Sequence, residues 1–213
     1  MAFSLLGING SPKKPVHKSN THFLLKTTLD SAEAEGIQTT LISLAEYDIL
    51  QCNGCEVCTT KPCPLDQKDD YPKIEQLISS HQGLVIASPS YWTGPPSILK
   101  NVLDRSRDNK MSDQLWANKV FAPIAVSGLR VGGQESVISS LINFALGHGM
   151  VIVGNIGHPW FNAPFPMGTM MYDCEEEGKS RVKFRSVKKD PIATKDAVLL
   201  GQRMASFGKK MFS

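Results

Sequence analysis

Four of the five cysteines of this 213-residue chain lie within one short stretch. Cys52, Cys55, Cys58 and Cys63 are spaced as C-x2-C-x2-C-x4-C, and Pro64 follows directly. Thiolates crowded this closely can surround a metal ion or an iron–sulfur cluster, and the nearest pattern is the ferredoxin run C-x2-C-x2-C-x3-C-P. The last gap is one residue longer here, which would let Cys63 fold back onto the same cluster. The spacing therefore favours an iron–sulfur site.

Three other interpretations of the cysteine run stay open at the level of sequence. A structural zinc site usually contains two C-x2-C knuckles separated by a longer spacer, and the chain has no second knuckle. Disulfides suit secreted proteins, but no secretory signal precedes the first predicted strand, and the run is too compact to join distant elements. Free thiols that remain from an ancestral site are the third alternative.

A polar loop near the beginning of the chain has the composition of an anion site. Residues 10–21, the first loop, supply hydroxyl groups, an amide, cations and the start of a predicted helix, which together can hold a phosphate. The loop matches neither the Walker A pattern nor G-x-G-x-x-G. A simple helix cap would explain Ser19 but not the whole loop. The residues expected at the phosphate are Ser11, Lys13, Ser19, Asn20 and Thr21.

Two later loops suit a flat ring. Residues 88–96, the second loop, place adjacent aromatic side chains between turn residues, and residues 127–135, the third loop, contain three glycines that allow close backbone approach. Taken singly, each has a structural alternative: ordinary packing for the aromatic residues and a ligand-free turn for the glycines. With the phosphate site they suit flavin mononucleotide (FMN). The expected contacts are Pro89, Ser90, Tyr91, Trp92, Thr93, Gly94, Ser127, Gly128, Gly132, Gly133 and Gln134.

Five predicted strands alternate with five predicted helices along the chain. This alternation is typical of a doubly wound α/β fold, in which ligands bind beyond the carboxyl ends of the parallel strands. The three loops follow strands one, three and four, so we expect them at one edge of the sheet. The predicted strands are Phe3–Asn9, Thr39–Leu44, Gly83–Ser88, Val120–Val126 and Met150–Val153, and the predicted helices are Asn20–Glu35, Tyr71–Ser80, Ile98–Arg107, Gln134–His148 and Thr194–Phe212.

Length and composition limit the remaining possibilities. With 213 residues, 41% of them apolar, we expect a single domain over residues 1–213 that includes a cysteine loop at 48–69 and a long extension at 154–191. The net charge of +3 is small, and the basic residues between 179 and 189 adjoin acidic ones, which argues against nucleic-acid binding. No apolar run reaches the ~20 residues of a membrane-spanning helix, and we expect a cytoplasmic protein without membrane partners.

The chain resembles the NADPH-dependent FMN reductases and, among them, the iron–sulfur flavoproteins. The resemblance extends over most of residues 3–153. The matching stretches are Gly10-Ser11-Pro12 with Ser19-Asn20-Thr21, the cysteine run with Asp69-Asp70, Ser88-Pro89-Ser90-Tyr91, Leu99-Lys100 with Leu103-Asp104-Arg105, and Gly132-Gly133-Gln134-Glu135.

This resemblance implies a flavodoxin-like sheet of order 2-1-3-4-5 with helices on both faces. It implies FMN with its phosphate at the first loop and its isoalloxazine against the second and third loops. It also implies a 4Fe-4S cluster on Cys52, Cys55, Cys58 and Cys63, together with NAD(P)H as an electron donor. The family assembles as dimers or tetramers, in which a cluster can face the flavin of another subunit.

Two features depart from the family pattern. Lys13 stands where these proteins often carry arginine, which keeps the charge but weakens a bidentate phosphate clamp. The extension at 154–191 is too long for an ordinary loop. We expect it to contact a neighbouring subunit or cover a flavin, with a locally packed hairpin as the alternative.

The preferred functional hypothesis is an FMN-dependent oxidoreductase that passes electrons between FMN and the cluster, and onward to a small-molecule or protein redox partner. One alternative is a cluster-free NAD(P)H:FMN or quinone reductase. Another is a zinc-stabilised binding protein on a flavodoxin-like scaffold. No Ser/His/Asp constellation stands out, so no side chain is predicted to be catalytic.

Overall fold

The centre of the molecule is a parallel sheet. The computed structural model describes residues 3–112, 114–160, 162–173, 183–184 and 186–212. Five strands follow the order β2-β1-β3-β4-β5, which confirms the predicted flavodoxin-like topology, and a sixth strand pairs with β4. The strands are β1 Ser4–Asn9, β2 Gln38–Ser43, β3 Gly83–Pro89, β4 Val120–Ser127, β5 Val151–Ile152 and β6 Met167–Thr169, and a separate antiparallel pair is β7 Met171–Asp173 with β8 Lys183–Phe184.

Helices cover both faces of the sheet. The first begins at a capping serine, since the Ser19 hydroxyl accepts a hydrogen bond from the N–H of His22 at 3.3 Å. The last begins at Pro191 rather than at Thr194, because Asp190 caps it by accepting from the N–H of Ala193 at 2.9 Å. The helices are α1 Asn20–Ala34, α2 Tyr71–Ser80, α3 Ser97–Arg105, α4 Arg107–Met111, α5 Gln134–Gly147 and α6 Pro191–Met211.

Side-chain alternation along the central strands divides the core into two layers. Val85 and Ala87 of β3 pack on the side of α1 and α6, while Leu84 and Ile86 pack on the side of α2, α3 and α5. Because successive side chains of a strand point to opposite faces, a strand covered by helices on both faces is apolar throughout. This explains why the sequence of β3 predicts its position in the middle of the sheet.

The fifth strand differs from its prediction. It is confined to Val151–Ile152, after which the chain leaves the sheet and returns as β6. The returning strand pairs in parallel with the end of β4, from Ala125↔Met167 to Ser127↔Thr169. The intervening segment includes three prolines, at positions 159, 164 and 166, which cannot donate to a strand ladder. Part of the predicted extension therefore belongs to the sheet edge.

Two buried aspartates near the start of α6 hold this segment. Asp196 accepts from the side-chain amide of Asn162 at 2.5 Å and from the N–H of Ala163 at 3.4 Å, and burial raises the pKa of its carboxyl group. Asp190 accepts from the N–H of Thr169 at 3.2 Å. Within the predicted extension, residues 161, 174–182 and 185 lie outside the described residues, and these include part of the basic stretch. Among the helices that the structure describes, none has the length and apolarity needed to cross a bilayer.

Candidate functional site

The three predicted loops meet at the carboxyl edge of the sheet around a cavity of about 190 Å³. This is the topological switch point, where β1 and β3 leave toward opposite faces. Ten of the predicted contact residues line the cavity, together with two that were not predicted. The lining residues are Ser11, Lys13, Ser19, Asn20, Thr21, Pro89, Ser90, Tyr91, Val126, Ser127, Gly128 and Met170.

The end of the cavity at the first loop has the chemistry of a phosphate site. The hydroxyl-bearing residues Ser11, Ser19 and Thr21 are buried there, and α1 points its N-terminus at the same place. In the part of the chain that the structure describes, no hydrogen bond engages the N–H groups of Asn20 and Thr21. Free N–H groups and the positive end of a helix dipole both favour an anion. Lys13 adds a side-chain cation at the rim.

The first loop is held in place by the strands beside it. The N–H of Gly10 donates to the carbonyl of Ala87 at 2.8 Å, and a Cβ at Gly10 would lie 2.7 Å from Leu99 Cδ2. The Asn9 side chain donates to Ser43 Oγ at 3.0 Å and accepts from the N–H of Ser11 at 3.3 Å. A side chain at position 10 would therefore push the loop away from β3, which explains the glycine.

The second loop forms a tight turn with an exposed aromatic tip. Tyr91 and Gly94 exchange two backbone hydrogen bonds of 2.9 and 3.1 Å. Between them, Trp92 has φ 50° and Thr93 has φ 66°, a left-handed conformation that bulky residues rarely adopt. The Trp92 side chain is completely exposed, at 101% of its reference area. A strained backbone that presents a bare tryptophan to solvent is typical of a binding surface rather than of packing.

The third loop is braced against the second. Gly133 has φ +84°, and a Cβ there would lie 2.6 Å from Thr93 Cα, so both conformation and space require glycine. The Ser90 hydroxyl donates to the carbonyl of Gly132 at 2.5 Å. The buried side chain of Gln134 accepts from the N–H of Gly132 at 2.9 Å and donates to the carbonyl of Leu129 at 3.2 Å.

A second cavity of about 270 Å³ continues from the first between these two loops. It shares Ser90, Ser127 and Gly128 with the first cavity, so the phosphate end and the aromatic turn line one continuous edge. Its outer rim carries exposed apolar side chains, with Val131 at 85% exposure. The lining residues are Ser90, Trp92, Thr93, Ser127, Gly128, Leu129, Val131 and Gly132.

Three of the predicted contact residues line neither cavity. Gly94 closes the turn of the second loop, and Gly133 and Gln134 fix the third loop against it. Sequence reasoning in turn missed Val126, Leu129, Val131 and Met170. Val126, Leu129 and Val131 lie at or next to predicted positions, whereas no local pattern brings Met170 to this edge. Its sulfur accepts from the Asn20 side-chain amide at 2.6 Å.

The cysteine loop leaves the carboxyl end of β2, on the same edge of the sheet. Cys55 is exposed and the other three cysteines are partly buried; all four are free thiols. Cys58 lies in a 3-10 turn, Val57–Thr59, and burial raises the pKa of its thiol, which the nearby Arg107 partly offsets. Within the described residues, no three His, Cys, Asp or Glu side chains are grouped as a metal site. The four-cysteine ligand set therefore stays a prediction.

Comparison with known proteins identifies the family. A family model of NADPH-dependent FMN reductases matches residues 3–160. The chain belongs to this family. It is 38% identical over 200 residues to an iron–sulfur flavoprotein of Archaeoglobus fulgidus, covering 94% of this chain and 92% of that protein. It is 33% identical over 206 residues to an iron–sulfur flavoprotein of Methanocaldococcus jannaschii, covering 96% and 97%.

A solved structure supports the same fold at low sequence identity. The chain superimposes with a TM-score of 0.74 and 17% identity on RosB, covering 99% of this chain and 80% of that one. That structure contains a bound flavin derivative, 8-demethyl-8-formylriboflavin-5'-phosphate. Membership of the FMN reductase family confirms the predicted family and the expectation of an FMN-dependent oxidoreductase.

Proposed function

We propose that this member of the FMN reductase family binds FMN along the edge formed by the first, second and third loops and exchanges electrons between FMN and a 4Fe-4S cluster. The observation that carries the proposal is the continuous cavity at the switch point, which begins at unpaired helix N–H groups and ends at an exposed aromatic turn. The run of four cysteines on the same edge, and the relatives named iron–sulfur flavoproteins, support the cluster.

The residues of the first loop fit the FMN phosphate. Asn20 and Thr21 offer backbone N–H groups, Ser11 and Ser19 offer hydroxyls, and Lys13 offers a cation at the rim. A dianion at the beginning of α1 is stabilised by the helix dipole as well as by hydrogen bonds. The same N–H groups would stay unpaired in a ligand-free protein, so the loop is built for an anion.

The second and third loops fit the isoalloxazine ring. Tyr91 and Trp92 provide aromatic surface, while Thr93 and the backbone of Ser127 and Gly128 provide polar groups along the ring edge. When bound, FMN supplies two-electron acceptance with single-electron release, and the protein's part is to orient the ring and exclude water from one face. Leu129 and Val131 cover the rim apolarly.

The four thiols fit an iron–sulfur cluster by chemistry and spacing. Cys52, Cys55, Cys58 and Cys63 come from one loop, carry no disulfide and lie close to solvent, where a cluster can be assembled. The cluster would supply one-electron transfer to a small-molecule or protein redox partner. NAD(P)H is the proposed donor to the flavin, and a homodimer or homotetramer is the proposed assembly.

A cofactor inventory tests this proposal. Protein purified without oxygen should contain about one FMN and about four iron and four sulfide per chain. FMN without iron or sulfide would favour a cluster-free NAD(P)H:FMN or quinone reductase, and one zinc without FMN would favour a zinc-stabilised binding protein.

A matched pair of variants separates the two cofactors. Cys55→Ala should remove iron and sulfide and leave FMN bound, because Cys55 lines neither cavity. Cys174→Ala, a cysteine outside the run, is the control and should leave both cofactors in place. Loss of FMN together with iron in Cys55→Ala would mean that the cysteines serve folding instead.

A further inference from the structure

The two ends of the cysteine loop are joined to each other. The N–H of Asp48 donates to the Asp70 carboxylate at 2.9 Å, and the N–H of Asp70 donates to the carbonyl of Asp48 at 2.8 Å. The N–H of Leu50 donates to the Asp69 carboxylate at 2.9 Å. The cysteines therefore lie on a closed loop whose base is a short ladder of hydrogen bonds.

One buried arginine fixes this base to the body of the protein. Arg105 is the last residue of α3, and its side chain is 1% exposed. It donates to Asp69 at 2.5 Å, to Asp66 at 2.6 Å and to the carbonyl of Leu50 at 3.3 Å. The guanidinium lies 4.7 Å from the centre of the Tyr71 ring, which covers its face.

The partners of Arg105 flank the cysteine run on both sides. Leu50 comes just before Cys52, and Asp66 comes just after Cys63, whose carbonyl accepts from the N–H of Asp66 at 3.1 Å. A guanidinium can reach separate acceptors in a fixed fork, which the point charge of a lysine ammonium cannot. Arg105 thus sets the separation between the beginning and the end of the run.

We infer that Arg105 is a positioning residue for the cysteine ligands, holding both ends of their loop so that the four thiols retain an iron–sulfur cluster. The inference rests on the cluster of the proposed function. A residue that orients ligands without touching the metal governs how firmly the metal is held. Nothing in the FMN cavity depends on this contact, since Arg105, Asp66 and Asp69 line neither cavity.

Arg107 provides a matched control two residues along the chain. It also reaches the cysteine loop, but its contact with Glu56 is 3.7 Å long and both side chains are largely exposed, at 43% and 73%. Arg105→Lys and Arg107→Lys make the same chemical change and keep the charge. Only the first removes the fork that spans the run.

The test is iron release from the anaerobically reconstituted holoprotein to a coloured ferrous chelator. Arg105→Lys should release iron about tenfold to a hundredfold faster than the wild type. Arg107→Lys should stay within about twofold of the wild type, because exposed ion pairs contribute little. The electron paramagnetic resonance signal of the reduced cluster should change in Arg105→Lys and stay unchanged in Arg107→Lys, whereas FMN content should be equal in all three proteins.

A second pair keeps the test decisive if Arg105→Lys fails to fold, which its lost FMN would reveal. Asp66→Asn weakens one arm of the fork at a side chain that is 21% exposed and leaves the pair with Asp69 in place. Glu56→Gln neutralises an exposed carboxylate in the same loop as its control. Faster iron release from Asp66→Asn than from Glu56→Gln is then expected.

The outcomes separate the inference from the proposed function. Equal release from the two lysine variants, or from Asp66→Asn and Glu56→Gln where Arg105→Lys does not fold, overturns the role of Arg105 and leaves the cluster standing. A reconstituted wild type without iron or sulfide overturns the cluster, and the inference with it.

Discussion

Gly133→Ala is the substitution for which the structure predicts the sharpest effect on the FMN edge. At φ +84°, an alanine is strained by about 1–2 kcal/mol. The added methyl group would also lie 2.6 Å from Thr93 Cα and 2.7 Å from Thr93 Cβ, so the second loop must move. Overpacking of this kind costs a further ~1–3 kcal/mol. We therefore expect a loss of about 2–5 kcal/mol in unfolding free energy.

The strain should also weaken FMN binding. Moving the second loop away from the third is the direct way to relieve the contact with Thr93, and it opens the edge against which the ring is proposed to lie. Every 1.4 kcal/mol of strain that reappears when the loops close on FMN raises the dissociation constant about tenfold. Titration of FMN-free protein, followed by quenching of flavin fluorescence, measures this constant.

Two other glycines separate the causes. Gly36 has φ +80° with no atom within 4 Å of the added methyl, so Gly36→Ala should cost about 1–2 kcal/mol and leave FMN affinity unchanged. Gly147 lies in α5 without a positive φ or a close neighbour, so Gly147→Ala should be neutral or stabilising by up to about 1 kcal/mol. If Gly133→Ala costs no more than Gly36→Ala in urea unfolding and binds FMN as tightly, the bracing of the third loop by Thr93 is refuted.

Three further predictions follow from other contacts. Ser19→Ala removes the cap of α1 and should cost about 1 kcal/mol in thermal unfolding and weaken FMN binding; unchanged binding would exclude Ser19 from the phosphate site. Burial lowers the pKa of His148 to about 4, below its unfolded value, so stability should fall by up to about 3 kcal/mol as the pH drops from 7 to 4, and His148→Gln, which can still bond to Ser106, should flatten this dependence in urea unfolding at each pH. Asp196→Asn weakens the hold on Asn162 and should cost about 1–2 kcal/mol while accelerating proteolysis between 154 and 166; equal cleavage rates would contradict the anchoring.

Local patterns predict most of the fold and the first two loops. The unbroken apolar run of β3 and the glycine, proline and hydroxyl residues after β1 express their structural roles within a few residues of sequence. The strand order and the meeting of three loops at one edge then follow from the general rules of parallel sheets.

The remaining features depend on contacts between distant parts of the chain. Met170 reaches the cavity only because β6 returns to the edge of β4, a pairing that the sequence of a three-residue strand does not encode. Gly133 and Gln134 are read from sequence as ligand contacts, since a glycine-rich turn has the same composition whether it faces a ligand or Thr93. Distinguishing the two needs coordinates.

Helix α3 connects the parts of the proposed redox edge. Its buried residues Leu99, Val102 and Arg105 recur every third position and so form one face of the helix. Leu99 packs against Gly10 of the first loop, and Arg105 holds the base of the cysteine loop about 9 Å further along the helix axis. Since a helix of this kind moves as a rigid unit, the phosphate site and the cysteine loop are fixed relative to each other within one chain. A substitution that tilts α3 should therefore disturb both cofactors, whereas one that only breaks the Arg105 fork should disturb the cluster alone.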